Sequence, residues 1–236
     1  TEKSNDSTLV PSDENSGNIY PSALNSATLN GSTQQPPATK NDKSMKINLG
    51  ALIGVGTYGK VFEGWCGDEV RPQVCPYALK FIPIKKIGRL NILPQIKQEI
   101  IFMNMLRGCN NLVHLVNVHV TPKNVVLVME MAGTASLEHF LNLHYDQRCL
   151  FSDSQIRSIG GQIFTALKYM HERSLMHRDL KPTNVTVSHD GYCKVCDFGM
   201  TVYVKPGATV IAPGATPLYA PPEQLKGEPI DLRYDV

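Results

Sequence analysis

The sequence predicts an α+β fold in two lobes: an antiparallel β-sheet carrying one helix, then a mainly helical lobe. Three observations predict it. Between Ile47 and Met131, short runs rich in Val, Ile, Phe and Tyr follow the strand period, and the first two are joined by a glycine-rich turn. Within that half only Gln95 to Leu106 spaces its apolar residues as a helix does, at Ile96, Ile100, Met103 and Leu106. In the second half, Ile156, Ile159, Ile163, Leu167 and Met170 form a long helical stripe behind the capping box Ser152-Asp153-Ser154-Gln155.

The chain has 236 residues, 42% of them hydrophobic and 19% charged, which suits one large domain or two small ones. A net charge of +2 gives no broad pull toward nucleic acid or membrane, and neither partner is expected. No apolar run approaches the ~18 residues of a membrane helix. Residue 1 is Thr and no apolar signal segment follows, so the sequence reads as part of something longer. Six scattered cysteines, Cys66, Cys75, Cys109, Cys149, Cys193 and Cys196, read as reduced, buried thiols of a cytoplasmic protein. Cys66 and Cys75 flank one loop and would be the pair to bridge in an oxidising compartment. Cys193-Lys194-Val195-Cys196 is a C-x-x-C, but no second ligand pair completes a zinc site.

Residues 1–44 are rich in Ser, Asn, Thr and Pro with one aromatic, Tyr20, and read as a disordered tail. Asn5, Asn30 and Asn184 each open a glycosylation pattern that a cytoplasmic protein would not use. A domain is expected over 45–236, its first lobe at about 47–131 and its second at about 132–236. Leu52 to Val61 contains G-x-G-x-x-G at Gly54, Gly56 and Gly59. Dinucleotide folds use the same spacing but need a helix directly afterwards. Lys60-Val61-Phe62-Glu63-Gly64-Trp65 instead reads as a strand, so the glycines sit in a hairpin whose amides can close over phosphates. Pro76 to Ile82 is the next strand. Lys80, in its apolar middle, is either a lysine reaching for water or a phosphate contact, and the preceding hairpin favours the second.

In the helix that follows, Glu99 lies beside the apolar stripe and needs a partner, for which Lys80 is the candidate. Arg107 and Gly108 make a suitable helix end. Leu112–Val120 and Asn124–Met131 are strands joined by the turn Thr121-Pro122-Lys123-Asn124, and Met131 to Ala135 reads as a hinge.

The long helix delivers the chain to His177-Arg178-Asp179-Leu180-Lys181-Pro182-Thr183-Asn184, and Asp197-Phe198-Gly199 follows. A carboxylate to orient a hydroxyl, a lysine to meet phosphate charge, and an Asn and Asp to hold magnesium are what phosphoryl transfer needs. The order glycine hairpin, Lys80, Glu99, H-R-D-L-K-P-T-N, D-F-G and Pro221-Pro222-Glu223 resembles the eukaryotic protein kinase family, of Ser/Thr type, over about Ile47 to Val236.

The resemblance implies an ATP- and Mg2+-dependent enzyme acting on Ser or Thr of proteins. It implies Asp179 as catalytic base with Lys181 neutralising the moving phosphoryl, and Asn184 and Asp197 as magnesium ligands. Ile53, Gly54, Val55, Gly56, Thr57, Tyr58, Gly59 and Val61 would cover the nucleotide, with Ala78 against the adenine. Lys80 would contact the phosphates and pair with Glu99. Backbone groups of Glu130 and Met131 would hold the adenine edge, behind which Met129 stands. Met103, Leu115, His177 and Phe198 would stack as an apolar spine, and Thr216 would hold the substrate-side loop to Asp179. Arg178 implies control by an upstream kinase acting on Thr201, Tyr203 or Thr209.

Pro221 and Ala215 replace a usual Ala and Gly, and Thr186 stands where an apolar residue supports the adenine. Cys196 would face the pocket, either as a reactive or an inert thiol. Kinases continue beyond the position of Val236, so the second lobe is expected to be incomplete here and residues 1–236 unstable or inactive alone. The competing reading is a pseudokinase or nucleotide-binding scaffold. It is disfavoured because Lys80, Asp179 and Asp197 are all present.

Overall fold

A computed structural model describes residues 47–236, except 57, 68–71, 73, 74 and 134; of Cys66 only the backbone is described. The tail over 1–44, Asn5, Asn30, Thr57 and the Cys66 thiol therefore lie outside the described residues.

Five strands form one antiparallel sheet: β1 (Ile47–Val55), β2 (Lys60–Cys66), β3 (Tyr77–Pro83), β4 (Leu115–Val120) and β5 (Asn124–Glu130), in the order β1-β2-β3-β5-β4. Strand alternation sends Ala78, Lys80 and Ile82 of β3 to one face and Leu79 and Phe81 to the other. Lys80 lies opposite Val61 on β2 and Leu127 on β5, and Ala78 opposite Met129, so these residues share the inner face. On the outer face Leu79, Val126 and Val128 make a small separate cluster.

Two helices follow β3. The first, α1 (Ile84–Leu90), buries only Ile87. The second, α2 (Leu93–Met105), carries Pro94 in its first turn and buries Ile96, Glu99, Phe102 and Met103, so Glu99 lies in the apolar stripe. It ends at Met105 with Leu106 as its C-cap, one residue short of the expected end, so Arg107 and Gly108 follow directly after the cap. Arg107 instead donates from Nη2 to Leu115 O at 2.9 Å. A Cβ on Gly108 would meet the Tyr169 hydroxyl at 2.1 Å, so this glycine serves close packing against the long helix.

In the second half, α3 (Leu137–Asp146) is capped by Ser136, whose Oγ accepts from His139 N–H, and has no buried residue. Next, α4 (Asp153–His171) opens on the expected capping box: Ser152 Oγ accepts from Gln155 N–H, and Gln155 Oε1 from Ser152 N–H. Only its later part buries, through Ala166, Leu167 and Met170, while Ile156 stays 57% exposed.

Five short strands then frame the loops: β6 (Ala135–Ser136), β7 (Leu175–Met176), β8 (Val185–Val187), β9 (Cys193–Val195) and β10 (Val202–Tyr203). They pair as β6-β8-β9 and β10-β7, with 3-10 turns at Pro182–Asn184 and Phe198–Met200. A short helix, α5 (Pro222–Leu225), and a 3-10 turn at Leu232–Asp235 follow. One large core runs from β3, α2 and β5 through Leu106, Cys109 and Leu112 to α4, β8, β9 and Phe198, so both halves pack on shared side chains. No described helix is long and apolar enough to cross a membrane.

Candidate functional site

Lys80 stands where the two halves meet. Its Nζ donates to Glu99 Oε1 at 2.6 Å and to Asp197 Oδ1 at 3.0 Å. Lys80 and Glu99 are 3% and 2% exposed. A buried charge is tolerated only when it is paired. Burial works to lower the Lys80 pKa, but the charges and hydrogen bonds of Glu99 and Asp197 more than offset it, and the net direction is upward. The ammonium stays charged. For Asp197 burial pushes the carboxyl up, Lys80 pulls it further down by charge and hydrogen bond, and the net direction is downward. Asp197 sits at φ 62°, ψ 77°, a left-handed conformation that costs a non-glycine residue on the order of 1 kcal/mol and collects at working sites.

The loop between β7 and β8 carries the second constellation. Asp179 Oδ1 accepts from Thr216 Oγ1 at 2.6 Å and from Lys181 Nζ at 2.9 Å. Its Oδ2 accepts from Lys181 Nζ at 2.8 Å and from Asn184 Nδ2 at 2.9 Å. Asn184 Nδ2 also donates to Asp179 O at 2.8 Å, which turns its Oδ1 away from Asp179. The loop backbone is pinned from outside: the buried Asp235 carboxylate accepts from His177 N–H at 2.8 Å and Arg178 N–H at 2.9 Å. Arg178, at φ 67°, aims its guanidinium at Ala212 O (2.7 Å), Pro213 O (3.0 Å) and Gly214 O (2.8 Å). The arginine is therefore occupied by backbone carbonyls of the segment leading to Thr216.

Over the site, Gly56 N–H donates to Gly59 O at 2.8 Å and closes the glycine hairpin. A Cβ on Gly56 would lie 3.6 Å from Lys80 Cε and 3.9 Å from Asp197 Oδ2, in the concavity above both charges. Gly54 pairs with Val61, and Ile53 is the extra residue of a bulge beside that pair. Val55 is 75% exposed at the rim. Tyr58 packs on the core near Glu99, Lys80 and Asp197, and its hydroxyl pKa is raised first by burial and then by Glu99.

Met103, Leu115, His177 and Phe198 are all buried, with the His177 and Phe198 rings edge-on at 5.6 Å. Burial, then the charge of Asp197, pushes the half-buried Cys196 thiol up to about 12, which favours the inert reading over the reactive one. Cys75, Cys109 and Cys193 are buried free thiols as expected, whereas Cys149 is exposed. Of the three hydroxyls considered for modification, Thr201 is buried, Tyr203 pairs with Leu175 and Thr209 is exposed.

One backbone donor expected at the adenine edge is already engaged. The Met131 N–H donates to Pro76 O at 2.9 Å, away from the site, while Glu130 N–H turns the other way to His114 O at 3.1 Å. Alternation along extended backbone puts the Glu130 carbonyl and the Ala132 N–H on a common side. With the Met131 N–H taken by Pro76, the Ala132 N–H is the alternative donor beside the Glu130 carbonyl.

Among the described residues no three His, Cys, Asp or Glu side chains form a metal cage. Asn184 and Asp197 offer two hard oxygens, which suits magnesium shared with substrate phosphates and water rather than a closed protein site.

A site of this build, with a lysine bridging a helix glutamate and a loop aspartate beside a second aspartate–lysine–asparagine set, defines a phosphotransferase class. The protein kinase domain family profile matches residues 47–236, and the chain belongs to the protein kinase family. It is 34% identical over 193 residues to serine/threonine-protein kinase 36 of Pongo abelii, covering 81% of this chain and 14% of that protein. It is 36% identical over 164 residues to the death-associated protein kinase related protein of Drosophila melanogaster, covering 68% of this chain and 23% of that protein. It is 30% identical over 181 residues to a probable cAMP-dependent protein kinase catalytic subunit of Encephalitozoon cuniculi, covering 75% of this chain and 52% of that protein. The chain thus spans a minor part to about half of these relatives. The antiparallel sheet lobe and its helical partner are those of the kinase fold.

Proposed function

We propose that this site moves the γ-phosphoryl of ATP onto a serine or threonine hydroxyl of a protein substrate. The observation that carries the reading is the saturation of Asp179 by Lys181, Asn184 and Thr216 at 2.6 to 2.9 Å. A substrate hydroxyl that displaces one of these donors meets a carboxylate already oriented to receive its proton. Lys181 is then within reach of the phosphoryl charge. Lys80, held charged by Glu99, meets the α- and β-phosphates under the glycine hairpin. The edge of the adenine lies against Glu130 O and Ala132 N–H, with Ala78 and Val61 across the ring. Asn184 and Asp197 are the residues suited to hold Mg2+, which when bound supplies charge neutralisation at the phosphate oxygens. Most of the rate enhancement on this reading is positioning and electrostatics.

Thr209, as the exposed hydroxyl of the three, is the acceptor for an upstream kinase in this scheme. The free thiols favour the cytoplasm. The residues from 45 on are the catalytic domain, and we expect residues 1–236 alone to be a poor enzyme, since Phe164 and Leu225 are 59% and 62% exposed. Incubation of the full-length protein with γ-labelled ATP, Mg2+ and a mixed peptide pool tests the reading. Label should appear on phosphoserine or phosphothreonine, and label on tyrosine alone, or none, would contradict it.

A further inference from the structure

One charged cluster, built on the side chain of Glu130, ties three segments together. Glu130, the last residue of β5, accepts at Oε1 from Lys194 Nζ at 2.7 Å and from the His114 N–H at 2.9 Å. The His114 Nδ1 lies 3.4 Å from the same oxygen, and its Nε2 contacts Cys109 O at 2.9 Å. Lys194 is the middle residue of β9, three positions before Asp197. That strand is held on both sides. Val195 N–H donates to Asn111 O at 2.8 Å, Val113 N–H to Val195 O at 2.9 Å, and Cys196 N–H to Asn184 O at 2.9 Å. A shift of Lys194 is thus a shift of the backbone that carries both Asn184 and Asp197.

We propose that Lys194 and the Glu130 carboxylate are a positioning pair for the nucleotide. They fix the Glu130–Ala132 backbone, which faces the adenine edge, relative to Asp197, which faces the phosphates. This rests on the reading of the site as an ATP site. An ordinary part-exposed ion pair contributes little. This one differs in two respects: one carboxylate oxygen also takes a backbone N–H, and the two residues stand on separate strands, β5 and β9, 64 residues apart in the chain. Neither side chain touches the nucleotide, so their effect runs through geometry. Small displacements of a positioned group are costly to function even where the fold survives.

The test uses the full-length protein with Lys194→Met, Glu130→Gln and the conservative Lys194→Arg. The KM for ATP should rise about three- to tenfold in the first two. Their kcat should change less, and the KM for the peptide substrate should hold. Lys194→Arg should restore the KM for ATP to within about twofold, because a guanidinium can still meet the carboxylate. The double variant should be no worse than the worse single one, as for two halves of one contact. Calorimetric MgADP affinity gives the same ranking without turnover. An unchanged KM and MgADP affinity in both variants, with only a lowered unfolding temperature, would make the pair purely structural and overturn the inference. If the wild type neither binds MgADP nor transfers phosphate, the ATP-site reading itself falls and takes the pair with it.

Discussion

Lys80 and Asp197 stand 117 residues apart in the chain and 3.0 Å apart in space. That contact joins the sheet half to the loop half, pulls the Asp197 carboxyl down and joins Glu99 in keeping the Lys80 ammonium charged. Without Lys80, burial would act on the Asp197 carboxyl against only the smaller pull of His177 and the Gly199 N–H.

The first prediction follows from that balance. In the wild type the Asp197 pKa is depressed below 3.8, so its contribution to stability is present above 3.8 and lost as pH falls through the folded value. In Lys80→Met the shift should reverse, and the native state should hold its proton into a higher pH range. The urea midpoint of the variant should then fall between pH 5 and pH 8 by more than that of the wild type. Parallel pH profiles for the two proteins would show that Lys80 does not control this carboxyl.

The glycine hairpin separates folding from binding. A Cβ on Gly59 would meet Phe81 O at 2.0 Å, a backbone atom that cannot step aside. Gly59→Ala should cost about 1–3 kcal/mol of stability, as overpacking does. Gly56 has no contact under 3.6 Å, so Gly56→Ala should fold normally. It should bind MgATP more weakly, because its methyl would enter the space over Lys80 and Asp197. Denaturation midpoints and nucleotide titrations on both variants check the pair, and equal stability losses would contradict the distinction.

Thiol chemistry should be selective. With Cys196 pushed up to about 12 by burial, iodoacetamide at pH 7.5 should leave it unmodified while the exposed Cys149 reacts. Site-resolved mass spectrometry reads this directly. Labelling of Cys196 at the rate of Cys149 would mean its pocket is open and its thiolate accessible.

Asp235 should matter beyond its distance from the chemistry. Its carboxylate takes the His177 and Arg178 amides and the His171 ring Nε2 at 2.9 Å. Asp235→Ala leaves buried N–H groups unpaired, at about 1–3 kcal/mol each. It should lower both the unfolding midpoint and kcat, since the Arg178 backbone at φ 67° loses its restraint. A normal kcat in a stably folded variant would show that the loop holds its own shape.

Much of this was legible in the sequence. Strand alternation, the glycine turn and the Ser152 box locate β1 to β5 and α4, and the loop residues name their own chemistry. The helix α1 shows no stripe because it buries only Ile87, whereas α3 does carry a short one in Leu137, Phe140 and Leu141, of which Leu137 and Phe140 pack partly buried on the core. Ile156 was placed inside because a stripe gives a face but not how much of it is covered. The engagement of the Met131 N–H was illegible for a different reason. Which way a peptide N–H points depends on the ladder with Pro76, and residue type carries no trace of it. The Glu130–Lys194 contact spans 64 residues and leaves no local pattern either.

On the proposed function, Asp179 receives the hydroxyl proton at a site where Lys80 and Asp197 meet the phosphates. Asp179→Asn in the full-length protein, assayed together for phosphoryl transfer and MgATP affinity, tests it most directly. Transfer should drop by about 10²–10⁴-fold while affinity stays within a few-fold of wild type. Undiminished transfer by a variant that binds MgATP normally would contradict it.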